Sequence, residues 1–184
     1  MTRHALSFKS IVTSLVLAVG ISGPAAAETV DEMFEALQDA DPAEAQRIGE
    51  RIYTEWSKSG SPTIDLLLQR AEDALEAENP QAAVEHLTAA IDHAPDFQQA
   101  YAYRAFAYYL MGYFGPALDD LARALEMEPR DYEAMFLFAV MLEEMGDPEG
   151  ALEVLHKVLA LNPHANFAPG VAARLEQALE GTTL

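Results

Sequence analysis

The sequence predicts an all-α fold, a stack of antiparallel helix pairs, on three observations. Pro95, Pro129 and Pro163 stand 34 residues apart. The same step relates Ala71, Ala105 and Ala139, then Ala83, Ala117 and Ala151, then Leu87, Leu121 and Leu155. Within each period the apolar and small residues recur at helical intervals. Ala117, Leu121 and Ala124, for example, fall on one side of a helix. A fixed period of this length marks an architecture in which each unit buries its apolar face against its neighbours.

Residues 1–27 precede the periodic region and have a different character. Arg3 and Lys9 give a basic start, Ile11 to Ile21 is mainly apolar, and Gly23, Pro24 and Ala25-Ala26-Ala27 follow. That order is expected of a secretory signal peptide, cleaved after Ala27 to leave Glu28 first; retention as an anchor is the alternative. The apolar run is short for a span, which takes about 20 residues. Export to the periplasm is the expected destination, with secretion or attachment to the envelope as variants. The chain has no cysteine, so neither a disulfide nor a cysteine-linked lipid can hold the exported protein.

All 30 Asp and Glu lie after Ala27, against 9 Lys and Arg, which leaves a net charge of about −21. Nucleic acid needs clustered Lys and Arg, and an anionic membrane surface attracts the same residues, so neither is an expected partner. The charge serves solubility alone or, on the alternative reading, also favours basic partners.

Residues 28–61 read as an atypical helix pair that caps one end of the stack. Val30, Met33, Phe34 and Leu37 make a stripe; Asp41-Pro42 opens a second helix carrying Ile48, Ile52, Tyr53 and Trp56. Three regular units follow at 62–95, 96–129 and 130–163. In each, two helices approach closely where alanines replace bulk. Asn79-Pro80 and Asp147-Pro148 place a capping side chain before a first-turn proline. Asp96 with Gln99 predicts a capping box. Gly112 and Gly146 suit the left-handed turn after a first helix, where the first unit has Glu78 instead. Arg70 and Arg104, 34 apart, are expected to pair with acids of their own second helices, Glu85 for Arg70 and Asp119 or Asp120 for Arg104. Residues 164–184 supply a last helix, with Val171, Leu175, Ala178 and Leu179 as its stripe, and a tail.

The second unit reads Tyr101, Ala105, Tyr108, Ala117, Leu121, Pro129 and the third Met135, Ala139, Leu142, Ala151, Leu155, Pro163; the first is Leu67, Ala71, Ala74, Ala83, Leu87, Pro95. This resembles the tetratricopeptide repeat, and the whole resembles small exported bacterial proteins with about three such repeats. No unit has the family's Trp at the large position or Gly at the small one. The resemblance implies a right-handed superhelix whose first helices line a concave groove. Carried onto this chain, that face holds Asp65, Leu68, Glu72 and Leu75; Gln99, Ala102, Phe106 and Tyr109; and Glu133, Phe136, Val140 and Glu143. Some members of the family clamp a peptide carboxylate with Lys, Arg and Asn on this face. None of these positions here is Lys, Arg or Asn, so that activity is not implied.

No nucleophile elbow, phosphate loop or calcium loop is present. His86, His93, His156 and His164 lack the i, i+4 pairing of a helix-borne metal site. Neither a cofactor nor an enzymatic activity is expected. The expected function is a protein-binding scaffold or adaptor whose acidic, aromatic groove takes a basic or apolar segment of a partner. The alternative is self-assembly into homo-oligomers through the same face.

Overall fold

The computed structural model describes residues 28–165 and 168–182; the expected signal peptide lies outside them. Nine helices run through the described residues: α1 Val30–Asp39, α2 Pro42–Trp56, α3 Pro62–Glu76, α4 Pro80–His93, α5 Gln98–Leu110, α6 Phe114–Met127, α7 Tyr132–Glu144, α8 Pro148–Leu161 and α9 Ala168–Thr182. Their starts are chemically marked. Thr29 and Glu32 form a capping box on α1. The side chains of Asp41, Asn79, Asp131 and Asp147 accept from first-turn amides of α2, α4, α7 and α8, each removing an orphan donor. The box expected from Asp96 and Gln99 does not form. The buried Phe97 takes the N-cap of α5 with no side-chain bond, and Gln99 is buried.

The turns between paired helices need a left-handed residue. Gly112 and Gly146 supply it at φ 76° and 85°, and Glu78 adopts φ 55° at the equivalent place. The turn geometry is therefore imposed by the pairing of the flanking helices, even where the residue disfavours it.

α3 with α4, α5 with α6, and α7 with α8 pack as pairs, and their small residues are wholly enclosed. Ala71, Ala83, Ala90, Ala105, Ala117, Ala124 and Ala151 are between 0% and 1% exposed. Arg104 donates to Asp120 Oδ2 and Oδ1 at 2.7 and 2.8 Å and to Thr88 Oγ1 at 3.1 Å, tying the second unit to the first. Asp120, not Asp119, is the partner. Arg70 departs from expectation: it is exposed and makes no ion pair with Glu85. The position 34 before Asp120 is His86, so the first unit lacks the carboxylate that would draw Arg70 inward.

The α1–α2 pair departs from the end-cap reading. It folds back onto the last unit instead of extending the stack beyond α3. Met33, Phe34 and Leu37 of α1 and Ala45, Ile48 and Ile52 of α2 share one core with Tyr132, Leu155, Val158 and the α9 residues Ala168, Ala172 and Leu175. Gln38 Nε2 donates to the carbonyls of Ala160 and Leu161 at 3.2 and 3.0 Å, where α8 leaves its last acceptors unmatched. Arg130 pairs with Asp31 at 2.6 Å and lies 4.7 Å over the Phe34 ring. At the same end, α9 packs on α8 and its Arg174 holds both oxygens of Glu143 at 2.6 and 2.7 Å.

Candidate functional site

The first helices of the units present one face to the inside of the stack. On α5 and α7 that face encloses a cavity of about 450 Å³. Gln99, Ala102, Phe106 and Tyr109 of α5 line it together with Glu133, Phe136 and Val140 of α7. Seven of the residues that the sequence assigns to a groove are thus brought to one place. Tyr103, Asp131, Ala134 and Leu137 complete the walls. The lining is mostly apolar, with Phe106 39% exposed at its surface. Tyr109 donates to Glu144 Oε1 at 2.6 Å and packs edge-on to Phe114 at 6.0 Å. That carboxylate raises the Tyr109 hydroxyl to about 12 and fixes the ring.

The other five assigned positions lie elsewhere, Leu75 of α3 being partly buried against the first core. Asp65, Leu68 and Glu72 of α3 line a separate cleft with Tyr53, Thr54 and Lys58 at the far end of α2. Leu68 is 2% exposed and belongs to the first core, so it supports the face from beneath. Asp65 accepts from the backbone and hydroxyl of Ser59 at 2.8 and 2.5 Å. Glu143 is taken by Arg174.

The reason for the division is α2. One side of this helix, at Gln46, Gly49, Glu50 and Tyr53, faces Tyr103, Tyr132, Glu133, Asn162 and His164 across a polar cavity of about 630 Å³. Its far end reaches α3, where the Tyr53 hydroxyl bonds to Glu72 and the Tyr53 ring lies 6.2 Å from that of Tyr103. A helix of the chain itself therefore runs along the inner face. Gly49 fits there because a side chain at that position would meet the Tyr132 hydroxyl at 2.8 Å.

The electrostatics are one-sided. Burial raises the pKa of Glu72, with Asp73 and Glu76 adding to it. Glu133 is exposed at the cavity edge, yet the protein around its inner side desolvates it and raises its pKa, with Asp131 adding. Asp131 is itself raised by burial, although the amides of Ala134 and Glu133 and the Gln98 side chain oppose the shift. Tyr103 stands among these acids and is raised by burial and by Glu72 and Glu133. Neither Lys nor Arg lines the α5–α7 cavity. No cluster of side chains able to hold a metal ion occurs among the described residues, and none of their helices is long and apolar enough to cross a membrane.

The sequence reads Tyr53 as one of the apolar residues of α2, with Ile48 and Ile52, whereas it faces the polar cavity; Tyr103 and Tyr132 carry no assigned role. Tyr103 sits beside the assigned Ala102 and its bulk was visible. The roles of Tyr53 and Tyr132 depend on α2 folding back, which no local pattern encodes.

Comparison with known proteins places this architecture. No family model matches the chain. A TPR repeat-containing protein of Rhizobium etli is 31% identical over 155 residues, covering 84% of this chain and 76% of that protein. The Sgt2 TPR domain from Aspergillus fumigatus superposes with a TM-score of 0.62 at 22% identity, over 67% of this chain and 83% of that one. The first TPR of Spaghetti (RPAP3), solved bound to an HSP90 peptide, gives 0.61 at 21%, over 65% and 95%. At these identities the two structures show a shared fold.

Proposed function

This chain belongs to the tetratricopeptide repeat proteins, and from that premise we propose that it is a scaffold or adaptor that binds a protein segment in the α5–α7 cavity. It acts by binding and not by catalysis. The observation that carries the reading is the cavity itself, an apolar space of about 450 Å³ with Phe106, Phe136 and Val140 in its walls and Glu133 at its edge. An exposed apolar hollow of this kind marks a contact site. The occupant has a large apolar side chain with a Lys or Arg beside it. The apolar group fills the hollow and the cation meets Glu133, which supplies specificity and speeds encounter. A peptide carboxylate of the kind clamped by other members would find no cation here. The order of basic, apolar and small residues in 1–27 supports delivery to the periplasm, and cleavage after Ala27 removes no described helix.

Fluorescence polarisation with a labelled synthetic peptide, leucine-rich with one central phenylalanine and one neighbouring lysine, tests the reading. The wild-type protein binds it, Phe106→Ala weakens binding by roughly tenfold or more, and Glu133→Gln weakens it less but removes most of the salt dependence. Equal binding by all three proteins contradicts the proposal. Light scattering on the same samples reports self-association through this face.

A further inference from the structure

The inner face carries two carboxylates that the chain leaves without a cation, Glu133 and Glu72. Every described lysine and arginine except Arg70 is paired with an acid elsewhere, and Arg70 is exposed on α3. Glu143, on the same face, shows the contrast, since Arg174 holds both its oxygens. The hydrogen-bond partner of Glu72 is neutral, the Tyr53 hydroxyl. Tyr103 lies between the two sites. It feels the charges of Glu72 and Glu133, and it lines the apolar cavity.

Tyr53 reaches Glu72 from α2, a helix held by apolar packing on its other side, at Ala45, Ile48 and Ile52. Its inner side is polar and stands over the 630 Å³ cavity. Tyr53 itself meets the inner face through a hydrogen bond and a ring contact, while its neighbours Ile52 and Trp56 pack into the core behind it. A bond between an ammonium and a carboxylate is about twice as strong as one from a neutral donor.

We propose that the inner face recognises a partner segment bearing two basic residues, one for Glu133 and one for Glu72, and that Tyr53 stands in for the second of these in the free protein. This rests on the α5–α7 reading above. The first cation and the apolar anchor bind without disturbing α2. The second takes Glu72 from Tyr53 and displaces that side chain alone, since Ile52 and Trp56 keep the end of α2 in the core.

The test compares two labelled peptides: the one-lysine peptide already described, and a series with a second lysine two, three or four residues from the first. One member of the series binds the wild type more tightly than the one-lysine peptide does. Tyr53→Phe, which keeps the ring and removes the donor, tightens that binding by roughly 2- to 10-fold and leaves the one-lysine peptide unchanged. Glu72→Gln abolishes the advantage of the second lysine. If no two-lysine peptide binds better than the one-lysine peptide, or Tyr53→Phe changes nothing, the two-cation proposal is overturned while the groove reading stands. If neither peptide binds, both are overturned.

Discussion

Arg104 and Arg70 occupy equivalent places in successive units, yet only Arg104 is clamped, with its side chain 16% exposed and that of Asp120 9% exposed. Removing one partner of an enclosed pair leaves the other charge uncompensated. Asp120→Ala should therefore cost about 3 kcal/mol in denaturant unfolding, whereas Arg70→Ala should lie within about 0.5 kcal/mol of wild type. Equal effects would show that the clamp does not organise the stack. The sequence identified Arg104 and its acid because position and charge recur in the period. It misassigned Arg70 because the period preserves the arginine while His86 replaces the acid. Side-chain partners are set by a single contact, and a repeat pattern averages over such contacts.

The three regular helix pairs were legible as elements because proline, glycine and alanine carry backbone and packing requirements that survive without tertiary knowledge. Glu78 is the instructive case. It takes a left-handed conformation at φ 55° where Gly112 and Gly146 serve the other units. Glu78→Gly should stabilise the protein by up to about 1 kcal/mol, and Gly112→Ala should destabilise it by about 1 kcal/mol, read from urea midpoints. The stripes of α1 and α2 were also legible, but their destination was not. An amphipathic helix states that one face will be buried, not which surface will bury it. The seven groove residues on α5 and α7 followed from the repeat, while those on α3 and at Glu143 were diverted by α2 and by Arg174. Leu37 and Ile52 are fully enclosed, so Leu37→Ala or Ile52→Ala should cost about 2–5 kcal/mol. A loss well below 1 kcal/mol would mean that α1–α2 is an appendage and not part of the core.

For the whole molecule, the acidic balance and the inner carboxylates act in one direction. Glu72, Asp131 and Glu133 have raised pKa values in the folded state. The folded protein therefore holds more protons than the unfolded chain between the ordinary carboxylate pKa and the raised one, and stability falls as pH rises through that window. Lowered groups such as Glu143, held by Arg174, oppose this, but Glu143 is only half-buried and Arg174 is exposed, so solvent screens the pair. Tm should be higher near pH 5 than near pH 7.5, and Glu133→Gln should narrow the difference. A Tm that rises steadily toward neutral pH would contradict the assignment. Partner binding should run the other way, weakening as Glu133 is protonated.

The central claim is that the inner face of α5 and α7 is the binding surface. Hydrogen exchange of the full chain with and without the one-lysine peptide addresses it most directly. The account predicts slower exchange in residues 99–109 and 133–140, with α4, α6 and α8 unchanged. Protection confined to the outer helices, or to the exposed edge at Leu110, Tyr113 and Met145, would contradict it.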